Sequence, residues 1–128
     1  MAQFLEQWHK VVFEADEAAL DGLLHDDVCF FSPVLWKPKQ GKAMTKAILT
    51  TVVSVFKDFQ YHREIHQGND WVLEFSATVN GLQVKGVDLV HLNDEGQIVN
   101  FEVMVRPANG LMALGAEMAE RMAKLQQG

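Results

Sequence analysis

The chain has 128 residues, 48% of them hydrophobic, which suits one domain with a sizeable core and excludes disorder. A formal net charge of −6 excludes non-specific nucleic-acid binding, which needs a basic surface. No apolar run is long enough to cross a bilayer, the opening Met1-Ala2-Gln3-Phe4-Leu5-Glu6 lacks a signal peptide's pattern, and the single Cys29 excludes an internal disulfide, so a cytoplasmic location is expected.

Phe4, Trp8, Val11 and Ala15 recur at helical spacing, widened by Leu5 and Val12, and predict a helix over 3–14. Asp16 is placed to cap a second helix over 17–24 that buries Leu20, Leu23 and Leu24. Asp26-Asp27 breaks the pattern. Val28-Cys29-Phe30-Phe31 reads as a short strand stopping at Ser32-Pro33, and Val34-Leu35-Trp36 as another before Pro38. Gly41 precedes a third helix over 42–56 with Met44, Ile48, Val52 and Val55 on its buried stripe. Lys37, Lys39, Lys42 and Lys46 read as a solvated loop and helix start. Four longer strands follow over 60–67, 71–79, 82–93 and 97–106, with Asn80-Gly81 as a hairpin signal. Pro107 ends the sheet, and Leu111, Leu114, Met118, Met122 and Leu125 mark a last helix over 109–126. Met118 and Met122, with Met112 and the upstream Met104, suit either a shifting lid or contact or a helix packed outside the core.

This order predicts an α+β fold: a cone-shaped, strongly curved antiparallel sheet packed on amino-terminal helices, a cystatin-like roll, with an extra carboxy-terminal helix. Residues 1–128 form one domain, its core at about 4–107. A curved sheet wrapped round a long helix leaves a hollow of the kind that holds ligands.

Asp88 stands alone on its strand face with Val84, Val90 and Leu92, the face expected to turn inward. A carboxylate there is costly to ionise unless paired, so Asp88 either has a partner, such as Arg63, or stays protonated as a hydrogen-bond donor. Both a structural and a pocket role are open at this point.

The helix order, with Val87-Asp88-Leu89-Val90-His91-Leu92-Asn93-Asp94-Glu95-Gly96-Gln97-Ile98, resembles the nuclear-transport-factor-two-like superfamily, which includes ketosteroid isomerases, SnoaL-like polyketide cyclases and limonene epoxide hydrolases. The resemblance spans about Phe4 to Pro107 and implies a SnoaL-like domain. It places Asp88 at the ketosteroid isomerase family's protonated oxyanion-hole acid. Trp8 falls where that family has an oxyanion Tyr, and Ser32, before Pro33, where it has a general-base Asp. Serine is no base at neutral pH. The epoxide hydrolase constellation is missing, with Trp71, Leu73, Phe75 and Val103 in its places.

The expected pocket is Trp8, Phe30, Ser32, Leu73, Phe75, Asp88, Val90, Phe101, Val103 and Val105. It is apolar, with one acid and one or two weak donors, and suits a small hydrophobic molecule bearing a carbonyl. No cofactor or metal is expected. His62 and His66, four residues apart in a strand, are too distant to share an ion. His91 lies on the face opposite Asp88, and Cys29 reads as a small buried residue. On the outer face, Asn100, Glu102, Met104 and Arg106 with Val87, Leu89 and His91 suit a two-fold homodimer interface, which the superfamily commonly uses. Three functions stay open: an isomerase, cyclase or dehydratase using Asp88 as acid; a binder that does not turn its ligand over; and a structural or protein-binding module.

Overall fold

Phe4, Trp8 and Val11 are all buried, and their stripe lays α1 (Ala2–Glu14) across the sheet, with the Phe4 ring on Trp71 and the Trp8 ring on Phe101. The computed structural model describes residues 2–127. Asp16 caps α2 (Glu17–Leu23) by accepting a hydrogen bond from the Ala19 amide at 3.0 Å, and Leu20 and Leu23 of that helix are buried. The chain continues through β1 (Leu24–Phe31), β2 (Lys39–Gln40), α3 (Lys42–Val55), β3 (Lys57–Gln67), β4 (Asp70–Val79), β5 (Leu82–Leu92), β6 (Ile98–Arg106) and α4 (Ala108–Gln127). The α+β class, the amino-terminal helices and the extra final helix match the expectation.

Three local expectations need correction. Asp26 and Asp27 do not end the pattern but sit exposed within β1, where the register to β6 shifts between Leu24 and Cys29. Val34-Leu35-Trp36 is not a strand. Ser32 Oγ accepts the Val34 and Leu35 amides at 3.0 and 3.4 Å, and Pro33 and Pro38 offer no N–H, so pairing begins only at Lys39. The sheet is mixed rather than wholly antiparallel. Its order is β2-β1-β6-β5-β4-β3, with β1 parallel to β6 and every other pair antiparallel. No hairpin joins β1 to β6, so the direction of β1 is set by how it leaves α2.

Asn80-Gly81 does form the β4–β5 turn, both residues at positive φ (50° and 82°), as a tight hairpin twisted like its strands requires. The inner faces of β4, β5 and β6 carry alternating apolar side chains in rows that run from one end of the molecule to the other. At one end Trp71, Val90, Leu92 and Ile98 pack with α1 and α2. At the other, Ala77, Val79 and Val84 pack with Val55 and Leu114 of α3 and α4. Between them is a hollow.

Gly86 governs that middle level. A Cβ there would run into the Met104 carbonyl of β6 and the ring of Phe75. The missing side chain lets Phe75 lie across β5 while β6 stays in register. Gly86→Ala should therefore cost about 1–3 kcal/mol as an overpacking change. Urea unfolding checks this, and unchanged stability would show that both the β6 backbone at Met104 and the Phe75 ring can move aside.

Candidate functional site

The hollow has a volume of about 460 Å³. Its floor is the aromatic layer of Trp8, Phe30 and Phe101, its sides are Phe56, Phe59 and Phe75, and Met118 and Met122 of α4 lie across it. Of the α3 stripe expected to be buried, Met44, Ile48 and Val52 line the hollow, Ile48 and Val52 also packing against the core, while Val55 is buried in the cluster shared with α4.

Asp88 sits in this wall and is buried, 6% exposed. Burial pushes its carboxyl up from the ordinary 3.8 to about 7, and a hydrogen bond from Tyr61 pulls the other way. Arg63, the alternative partner, is engaged elsewhere. It forms a two-pronged pair with Glu74 on the outer face, both contacts at 2.8 Å, and with Lys85 holds the Glu74 carboxyl far below its usual range.

The polar wiring of Asp88 has a fixed direction. The indole N–H of Trp8 can only donate, and it donates to the Tyr61 hydroxyl at 2.7 Å. The Tyr61 proton is then directed onward to Asp88 Oδ2 at 2.9 Å. Burial first, and the Asp88 charge second, raise the Tyr61 hydroxyl well above its ordinary value, so it stays a donor. Asp88 Oδ1 has no partner among the described residues. With the carboxyl protonated, that side of the group can donate to a guest.

Tyr61 is held from its other faces as well. The His9 ring stacks on it at 5.8 Å, and His9 Nε2 meets Glu64 Oε2 at 2.6 Å. Phe59 meets it edge-on at 4.9 Å. Both Tyr61 and Glu64 face inward because the β3–β4 register shifts between them. That irregularity reverses which residues point in. His62 faces out, to Ser76 Oγ at 2.8 Å, and His66 faces in, stacked on Trp71 at 4.4 Å. Among the described residues no group of three or more His, Cys, Asp or Glu could hold a metal ion. His91 pairs with Asp70 at 2.7 Å, on the outside. Cys29 is half-buried, and its sulfur takes the Gln40 amide at 3.4 Å.

Of the residues expected to line a pocket, Trp8, Phe30, Ser32, Phe75, Asp88, Phe101 and Val103 are on the wall. Leu73, Val90 and Val105 are not. Leu73 and Val90 lie in the packed cluster on the floor side, and Val105 packs against the opposite cluster. Each has the right face and pairs at the level of the wall, Leu73 with Asp88, Val90 with Phe101 and Val105 with Gly86 beside Phe75, but is covered there by the packed clusters. Ser32 lines the wall, yet its oxygen is occupied by the two loop amides. The pocket reading left out Tyr61, although it is the only tyrosine and follows Phe59 at strand spacing, and it left out Lys39 and the walls from α3 and α4.

A model of the SnoaL-like domain matches residues 5–101. Among solved structures, a steroid delta-isomerase from Pseudomonas aeruginosa has a TM-score of 0.94 and 45% identity, covering 99% of this chain and 94% of that one. An uncharacterized protein conserved in bacteria with a cystatin-like fold, from Silicibacter pomeroyi, has a TM-score of 0.88 and 38% identity over 92% of this chain and 84% of its own. An NTF2-like protein of unknown function from Mesorhizobium loti, 19% identical over 83% and 90% of the two chains, shares the fold at a TM-score of 0.75. A comparison with curated proteins finds no match.

The raised pKa of Asp88 links stability to pH. Between pH 3.8 and about 7 the folded chain keeps a proton that the unfolded chain has released, so the stability this group lends is full below the window and lost as pH rises through it. Asp88→Asn, which has no such proton, should melt above the parent at pH 8 and lose that advantage steadily toward pH 4. Thermal melts across that range measure it, and a gap independent of pH would show an ordinary carboxyl.

Proposed function

Because this chain belongs to the SnoaL-like domain family, we propose that its hollow takes a small hydrophobic carbonyl compound and that Asp88 acts on it as an acid. The observation that carries this reading is the burial of the Asp88 carboxyl in an apolar wall, which pushes it up to about 7. A group with that value is protonated and deprotonated in comparable amounts at neutral pH, which is where acid–base catalysis works best. Donation from the protonated carboxyl to the carbonyl oxygen stabilises negative charge as an enolate or alkoxide forms, in a site where little water screens it. Isomerisation, cyclisation and dehydration of a ketone all build charge on that oxygen. Tyr61 and Trp8 position the acid and fix which of its oxygens faces the guest. The Pseudomonas neighbour is a steroid delta-isomerase, so a ketosteroid is the first compound to try.

A second reading, binding without turnover, has one observation in its favour. The wall position expected for a base holds Ser32, whose oxygen already serves the Val34 and Leu35 amides. Two measurements test these readings. The first follows conversion of a β,γ-unsaturated ketosteroid by the absorbance of the conjugated product. Turnover should fall as pH rises above 7, and Asp88→Asn should lower kcat by about 10²–10⁴. Binding without conversion selects the second reading. The other measurement is calorimetric affinity for a naphthol, whose hydroxyl occupies the position of the carbonyl oxygen. Equal affinity in the parent and Asp88→Asn removes Asp88 from both readings.

We further propose that the outer sheet face joins two copies of the chain. The supporting pattern is a set of adjacent positions, Val72 beside Leu89 and Val87 beside Met104, with Val72 and Met104 37% and 49% exposed. Glu102 and Arg106 flank that strip with opposite charges that can pair across a two-fold axis. Met104→Asp should convert a dimer into a monomer in sedimentation experiments, and a parent that already sediments as a monomer overturns this assembly.

A further inference from the structure

We propose that Lys39 forms an anion-binding subsite at the mouth of the hollow, so that the ligand carries a carboxylate or similar anionic group at the end remote from its carbonyl. The inference rests on the reading of the hollow as a site for a hydrophobic carbonyl compound, and it adds the chemistry of the ligand's other end.

The placement of Lys39 follows from strand pairing. In the two-residue strand β2, Lys39 lies directly opposite Phe30, and Gln40 opposite Cys29. Residues opposite each other across a pair share a face of the sheet. Phe30 faces the hollow, so Lys39 faces it too, and both are on its wall. Gln40 takes the other side, where its amide meets the Cys29 sulfur. Lys39 is half-buried, and its rim neighbours Val34, Leu35 and Met44 are 49%, 54% and 39% exposed. An alkyl stem along an apolar wall with an ammonium toward water is the arrangement such side chains favour at a boundary.

The charge of Lys39 is available. Lys42 and Lys46, nearby in the chain, both go to Asp21, at 3.6 and 3.3 Å, while Lys85 goes to Glu74 and Lys124 to Glu120. Lys39 has no ion-pair partner among the described residues. It is also the one basic residue on the wall, among the described residues, in a chain of net charge −6. Such a chain repels anions at long range, so an anionic group gains only where a cation is close. An ion pair at the edge of an apolar hollow is screened less than one on open surface.

The two ends of the site are well separated. Lys39 is on β2 and Asp88 on β5, and the order β2-β1-β6-β5 puts two strands between them. At about 4.8 Å per strand spacing this is about 14 Å of sheet. A long apolar molecule with a carbonyl at one end and an anion at the other fits both groups at once, whereas a compact ketone reaches only Asp88.

The test compares a phenyl ketone whose alkyl chain ends in a carboxylate with its methyl ester, by isothermal calorimetry. In the parent the acid should bind at least about tenfold tighter than the ester, the gain expected of one charge-assisted contact. The acid-to-ester ratio should fall to near one in Lys39→Met and below one in Lys39→Glu. Equal binding of acid and ester by the parent overturns the subsite while leaving the hollow as a ketone site. An advantage that persists in Lys39→Met places the anion elsewhere and also overturns it. If neither compound binds, the subsite falls together with the reading of the hollow.

Discussion

A single carboxyl kept out of water sets the terms for the inner surface of this sheet. Above pH 7, holding Asp88 ionised in the folded chain costs on the order of 4 kcal/mol relative to the unfolded one, from the distance between its ordinary and folded values. Neighbours such as Leu73, Val90 and Phe101, each fully buried, contribute roughly 1.5–3 kcal/mol apiece and offset that amount. The fold can therefore carry one such group. Its hydrogen bond comes from Tyr61 on β3, whose hydroxyl in turn accepts from Trp8 on α1, a well-separated part of the chain. An indole that can only donate gives the series its direction, and the free side of the carboxyl is a consequence of it.

The hollow exists because the core is divided. One apolar cluster fills the end under α1 and α2, the other fills the end under α3 and α4, and the level between them is walled by rigid rings. Phe56, Phe59 and Phe75 brace one another, with centroids 5.1–5.6 Å apart, so the walls do not collapse inward. Above this level the loop after β1 rests on α4, where Val34 packs close against Gly115. That contact places the loop and the last helix at one rim of the opening.

Much of this was legible in the sequence, and the limits have physical causes. Strand alternation identifies a face, which is why Asp88, Phe75 and Val103 were read as inward. Alternation does not say which inward side chains other residues cover, and Leu73, Val90 and Val105, level with wall residues, are packed over by the two clusters. Alternation also assumes a regular strand. The register shift after Tyr61 reverses the parity of β3, so His62 and His66 end on opposite faces and Glu64 turns inward. The family resemblance implies an aromatic donor of α1 at the acid, and Trp8 lines the hollow but hydrogen-bonds Tyr61 rather than Asp88. The hydroxyl that Trp8 lacks comes instead from Tyr61 on another strand, a pairing that only the folded chain brings together.

The same irregularity in β3 bears on how this molecule meets others of its kind. β3 is one border of the sheet, and its pairing is interrupted at two places. The other border, β2, offers only two residues. Neither border presents a long, straight row of unused N–H and C=O groups, so the sheet is poorly suited to growing sideways by adding a foreign strand. Association is thereby channelled to the broad side of the sheet or to the helices, and the chain is shielded from the runaway stacking to which flat β-structures are prone.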